Sequence, residues 1–573
     1  MVYRFDNAST REGTAVSERH RRDYYFIANR REMRGAVNRP ATPSERQTAF
    51  RFSQIVPRGT PPSSDALLDA LAQRMPLASN ELAQAGHIPA GFTYLGQFVD
   101  HDLTRDVTRN LPLGQPAAAA DLAQGRSPAL DLDSLYGGGP GSADAGAFYA
   151  ADQASFILGT TAPVPPIAIP GGPGFPAFPA RDGFDLPRRG QAATVETERR
   201  MAATPEPRND ENLAVAQTHL AFMRFHNATV RALAGSTPSA QLFARAQAHV
   251  VRSYQWMLVH DYLPRIVDPA IVADVFANGR KIFEVDATDF PTMPIEFSVA
   301  AFRLGHSMIR SQYDWNAVFH FRPGALDQGS LENLFRFSGT SGNLSPGSDV
   351  DQPLDGPFER LPGNWIADWT RLYDFRADAG TPELAPSDGG IVNPALRIDT
   401  RLTDPLANLP LGSFGARGTS TVPAIERNLA HRNLVRGRMV ALATAQEVAV
   451  HFRDVAGVQP ILTEADLLVG EGIDLSDLPD AVRHEAVTAT PLWFYILREA
   501  EKNDGRLGPI GGRIVAETFH RAIEGSRISI LREPTWRPAG GRHAGGFGMV
   551  DILLAAYDRA QGELRPTSPG APR

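Results

Sequence analysis

The sequence predicts a mainly α protein, a single large helical domain with long ordered loops and few short strands. The strongest apolar periodicities run at three- and four-residue steps. Few segments alternate polar and apolar residues as half-buried strands do. The irregular stretches carry core-type side chains such as Phe335, Phe337 and Ile391, which flexible interdomain linkers lack. By a size prior of about 150 residues per domain the 573-residue chain has room for several domains, yet no linker-like segment divides it and no repeat at solenoid or propeller spacing is present.

Residues 1–48 read as a polar N-terminal extension rich in Arg and Glu, without the apolar stretch of roughly 7–15 residues that a secretory signal needs. The domain is expected over 49–560, and a Pro- and Gly-rich tail over 561–573. Within the domain, helices are expected at Ser64–Met75, Gly91–Asp102, Leu213–Ala234, Ser239–Leu263, Glu296–Arg310, Val422–Arg438, Met439–Phe452, Pro491–Glu501 and Gly512–Ile523. Leu213, Ala216, Leu220 and Met223 show the spacing of a buried helix face. Between Thr160 and Gly190 the Pro and Gly content forbids a helix and predicts a long ordered loop or a small hairpin. Further irregular stretches occupy Pro323–Pro362 and Ala377–Thr421.

Composition narrows the chemistry. A net charge of −7 with no basic block argues against nucleic acid or an anionic membrane as partner, so the ligand is expected to be small. The absence of cysteine excludes disulfides, thiolate zinc sites, iron–sulfur clusters and a cysteine nucleophile. Redox work must then come from a bound cofactor. No uncharged apolar run approaches the roughly 20 residues of a membrane span. A soluble protein is expected, cytoplasmic or exported without a visible Sec signal.

Four segments carry candidate chemistry. In GFTYLGQFVDHD (91–102), Gln97 and His101 stand four apart and share a helix face, with Asp100 and Asp102 flanking the histidine. LDLDSLYG (130–137) places carboxylates at every second position, a spacing suited to an oxygen-ligated cation such as calcium, though it is not an EF-hand. PRNDEN (207–212) puts Arg208 just before a helix, where a guanidinium can meet an anion or an oxygen developing charge. AFRLGHSMIR (301–310) sets His306 on an apolar segment behind a glycine that would admit a flat ring. P-loop, nucleophile-elbow and Rossmann motifs are absent, and His484-Glu485 fails the zincin pattern because position 488 is Thr488.

Taken in order, these motifs resemble the peroxidase–cyclooxygenase superfamily, the animal-type haem peroxidases, and look like one of its bacterial members. The resemblance runs from about Gly91 to about Pro534. It implies haem b as cofactor, with His306 ligating the iron and Asn433 bonding the His306 imidazole. Arg303 and Arg436 would meet the haem propionates, and Asp100 and Glu211 the haem methyl groups through ester bonds. His101 would be the proton-transfer group, with Gln97 beside it and Arg208 as the distal arginine. Asp102, Ser127, the carbonyl of Ala129, Asp131 and Asp133 would ligate calcium. Where some family members carry a methionine that forms a third haem bond, this chain has Asn212, which argues against efficient chloride oxidation. His219 and His226 read as structural.

The activity so implied is reduction of hydrogen peroxide and oxidation of small donors (halides, thiocyanate or phenols) through a ferryl haem. The rival within the superfamily is a haem-dependent fatty-acid dioxygenase. Cyclooxygenases place a radical-forming tyrosine three residues before the iron-ligating histidine, where this chain has Arg303. A rival of another class is a haem-bearing adhesion protein, for which no appended module is recognisable.

Overall fold

The computed structural model describes residues 25–28, 31–34 and 50–568, except 78–84, 109–112, 143–144, 170–171, 173, 191–192, 194–198, 286–290, 323, 341–358, 387–388, 410–422, 460 and 540–545. Most of the extension expected over 1–48 and the last five residues of the expected tail therefore lie outside the described residues. The tail begins in a short helix, Gln561–Leu564, whose Leu564 is fully buried.

Helices dominate, as the periodicity predicts. The principal ones are α1 (Asp65–Arg74), α2 (Gly91–Leu103), α3 (Leu213–Leu233), α4 (Ser239–Met257), α5 (Pro269–Asn278), α6 (Leu429–Met439), α7 (Ala445–Ala456), α8 (Leu492–Lys502), α9 (Gly511–Gly525) and α10 (Met549–Ala556). Side chains set several starts: Ser64 accepts from the Leu67 amide, Asn212 from Val215, and Asn428 from Ala430 and His431. The strands described are two to five residues long and pair two by two, so no layered sheet forms among the described residues. In the Pro/Gly-rich stretch the hairpin alternative is realised, with Gly159–Thr160 antiparallel to Asp182–Asp185.

The centre of the fold is α3, which packs against α2, α4 and α10. Phe98 of α2 stacks on Phe222 of α3 with ring centroids 4.9 Å apart and planes 2° from parallel. Both rings are completely buried, each burial stabilising the packing by about 1.5–3 kcal/mol. The start of α2 is packed tightly: a Cβ on Gly91 would lie 2.3 Å from the Tyr373 ring. Helix α6 packs against α1 and α8.

Three expected helices differ. Val422–Arg438 is α-helical only from Leu429, after a 3-10 turn (Ala424–Arg427) and the extended Asn428 that caps the helix. Glu296–Arg310 is not one helix but a π-helical turn (Glu296–Ala300), a 3-10 turn (Ala301–Leu304) and a short α-helix (Gly305–Met308). The expected Met439–Phe452 helix starts late. The chain breaks at Ala441, in the left-handed region at φ 51°, and restarts at Thr444, whose hydroxyl and Glu447 form a capping box.

Candidate functional site

The π-to-3-10-to-α sequence of Glu296–Met308 and the last turn of α2 meet at one cavity of about 530 Å³, a volume typical of a cofactor site. Eight of the expected catalytic and haem-binding residues line it: Gln97, Asp100, His101, Arg208, Glu211, Arg303, His306 and Arg436. Its apolar wall includes Phe302, Leu304, Ile309, Phe335, Leu406 and Leu409.

His101 is 5% exposed. Its Nδ1 lies 2.8 Å from Asn209 Oδ1, which leaves Nε2 as the nitrogen open to the cavity. Burial, reinforced by the Arg208 charge, pushes the imidazole pKa down to about 3, so the ring is neutral throughout the ordinary pH range. Gln97 accepts from the Asn212 amide at 2.8 Å. Asn212 thus holds Gln97 with its nitrogen while its oxygen caps α3.

Arg208 is fixed along one edge. Its Nε donates to Glu206 Oε1 at 3.0 Å, and its Nη2 donates to the carbonyls of His101 (3.2 Å) and Thr104 (2.7 Å) and to Glu206 Oε2 (3.0 Å). Glu206 is completely buried and also faces Arg126 and Arg105. Burial alone would raise its pKa, but Arg126, Arg208 and Arg105 hold it well below the usual range. Glu206 was not singled out in the sequence, because a glutamate before a proline gives no local sign of three arginines converging on it.

Asp100 and Glu211 both line the cavity, and burial outweighs the pull of Arg208 on each. Asp100 is raised, and Glu211 reaches about 7.

The Asp102, Asp131 and Asp133 carboxylates offer oxygens that all lie within 4.8 Å of one another. Asp102 accepts from the Leu132 and Ser134 amides and the Ser134 hydroxyl, which ties the loop to α2. Ser127 donates from its amide to Asp133 and from its hydroxyl to Asp131, and Ala129 is buried in the same loop. Leu132 takes a left-handed φ of 59°, rare for a branched side chain. One oxygen of Asp133 is buried without a hydrogen-bond partner. A hard cation satisfies such an oxygen-only donor set.

His306 follows Gly305, where an added Cβ would meet nothing within 4 Å, so the space beside that glycine is open, and both residues line the cavity. Asn433, from α6, places Nδ2 2.9 Å from His306 Nδ1, and its Oδ1 accepts from Arg303 at 2.6 Å. Burial, then Arg303, lowers the His306 pKa to about 3. Arg436 pairs with Asp106 at the edge of the cavity. His226 is held by Tyr136 and the Ala154 carbonyl.

Residues 179–338 match the family model described as animal haem peroxidase. That span holds Arg208, Glu211, Arg303 and His306; His101, the Asp131/Asp133 loop and Asn433 lie outside it. A "peroxidase-like protein" of Margaritifera margaritifera is 28% identical over 152 residues, 25% of this chain and only 18% of that protein's length. Among solved structures, peroxidase A from Dictyostelium discoideum aligns with a TM-score of 0.55 at 14% identity, over 94% of this chain and 99% of that one. A fatty acid alpha-dioxygenase of Arabidopsis thaliana aligns at 0.55 and 11% identity, over 97% and 87%. One from Oryza sativa aligns at 0.52 and 13%, over 97% and 91%. At these identities the likeness establishes the helical fold, which peroxidase and dioxygenase share.

Proposed function

We propose, from the animal haem peroxidase match and the cavity that brings His101, Arg208 and His306 together, that this chain is a haem peroxidase that reduces hydrogen peroxide. The lining fits the cofactor on its own terms. There is an imidazole lining the cavity beside an open glycine, an apolar wall for a flat macrocycle, and two arginines for carboxylate side chains. His306 would ligate the iron, Arg303 and Arg436 would face the propionates, and Asp100 and Glu211 would offer carboxylates to the haem edge. As a ligand through Nε2, His306 carries its proton on Nδ1, so Asn433 would offer it Oδ1 in place of the amide nitrogen seen here.

When bound, haem supplies an iron that binds peroxide oxygen and takes up its two oxidising equivalents. The chain's own part is proton handling and charge. His101 Nε2, free and neutral, takes the proton from one peroxide oxygen and returns it to the departing one, which leaves as water. Arg208, always charged and held by Glu206, stabilises the negative charge that builds on that oxygen. The Asp102–Asp131–Asp133 cluster would hold calcium and fix the helix that carries His101. Small donors such as halides, thiocyanate or phenols would return the electrons.

The test is the visible spectrum of the haem-loaded protein before and after one equivalent of hydrogen peroxide. A change that iodide or a phenol reverses supports the reading, and irreversible bleaching refutes it.

The second reading is a fatty-acid dioxygenase. Arg303 stands three residues before His306, but Tyr94 and Tyr262 also line the cavity and keep a tyrosyl mechanism open. Oxygen uptake on adding a long-chain fatty acid would favour it.

A further inference from the structure

The sequence marked His219 as structural, yet it ends a buried chain of hydrogen bonds that begins at His101. Asn209 Oδ1 lies 2.8 Å from His101 Nδ1, and the same amide's Nδ2 lies 2.9 Å from His219 Nδ1. Asn209 and His219 are completely buried, and His219 Nε2 has no hydrogen-bond partner. The His219 ring stands edge-to-face with Phe98, which α2 carries one turn before His101.

A neutral imidazole carries one proton, on one nitrogen or the other, and only the bare nitrogen is a base. An amide has one accepting and one donating end, so it imposes opposite demands on the two rings it joins. With Oδ1 toward His101, the proton of His101 sits on Nδ1 and the lone pair on Nε2 faces the cavity. With Nδ2 toward His219, that ring accepts on Nδ1 and carries its proton on Nε2.

We infer that Asn209, with His219 behind it, is a positioning pair that fixes the tautomer of His101 and so keeps Nε2 a free base toward the cavity. No proton passes through the amide, which only decides which imidazole nitrogen holds it. His219 fixes the amide in turn: rotating Asn209 by half a turn would require His219 to move its proton to Nδ1, and would give His101 a protonated, non-basic Nε2. The inference rests on the peroxidase reading only for its consequence in turnover, not for the tautomer itself.

The experiment is a long-range ¹H–¹⁵N correlation spectrum of the full chain carrying ¹⁵N-labelled histidine, with His101 assigned by its loss in His101→Gln. The expected wild-type result is His101 protonated on Nδ1 and His219 on Nε2. Asn209→Leu should release His101 into a tautomer mixture, while Asn209→Asp, which accepts at the same place, should keep its proton on Nδ1 and move that of His219 to Nδ1. In the haem-loaded protein the second-order rate with peroxide should fall about tenfold or more in Asn209→Leu and recover in Asn209→Asp, with haem binding unchanged. A wild-type His101 protonated on Nε2 overturns the inference even if no variant folds. So does an Asn209→Leu protein whose His101 tautomer and rate both match wild type. Expected tautomers together with no peroxide reaction in any protein would uphold the positioning pair and refute the peroxidase reading instead.

Discussion

The three clustered carboxylates make a prediction whose size follows from their surroundings. Burial raises all three, and in Asp131 the neighbouring Asp133 and Asp102 add to it. Asp133 reaches about 8 and Asp102 about 6, while Asp131 stands well above its ordinary value. At pH 7 Asp133 is therefore mostly protonated, so the cluster holds about one proton or more. A divalent cation needs the ionised oxygens, so its binding must expel those protons. The perturbation is calcium added to the chelator-treated protein, and the assay is titration calorimetry in two buffers of different ionisation enthalpy. The expected result is release of about one proton or more per calcium at pH 7, with affinity rising about tenfold or more from pH 6 to pH 7. Asp133→Asn should remove about one of those protons. Heats that do not depend on the buffer, with affinity flat across the same pH range, would refute the account.

Two further predictions concern the buried charges around the cavity. Because burial and Arg208 disfavour protonated His101, the base stays free as the pH falls, so the peroxide reaction of the haem-loaded protein should hold steady from pH 7 to about pH 5. A loss centred near pH 6.5, measured by stopped flow, would contradict it. Glu206→Gln strands the buried charge of Arg126 beside Arg208 and Arg105, and should cost about 3–5 kcal/mol in urea unfolding at pH 7. The folded pKa of Glu206 lies below its unfolded value, so this stabilisation is present above about pH 4.3 and fades on acidification. A cost under about 1 kcal/mol at pH 7 would show that the charge is compensated elsewhere.

The parts of the site that were legible in the sequence are those whose signal is local. Gln97 and His101 sit on one helix face, and Asp131 and Asp133 at alternate loop positions, wherever the rest of the chain goes. The α2 and α3 helices carry uninterrupted periodicity and formed where expected, to within about one residue. The segment before His306 looks helical to any periodicity argument, since π and 3-10 turns each differ from an α turn by less than one residue per turn; which of them forms is decided by packing. The Thr444-to-Glu447 capping box, a Thr followed three residues later by a Glu, is a written signal of a helix start inside the span 439–452. Asn209 and Glu206 had no such signal. One acts on a histidine 108 residues away, and the other is defined by arginines brought together only by the fold.

Arg208 Nη2 donates to the carbonyls of His101 and Thr104, the backbone oxygens that end α2. The side chain proposed to steady the leaving oxygen is thus also a clasp on the helix that presents the base. The two residues are not free to be exchanged one at a time: losing the arginine loosens the histidine's backbone, so a double replacement should cost far less than the sum of the singles.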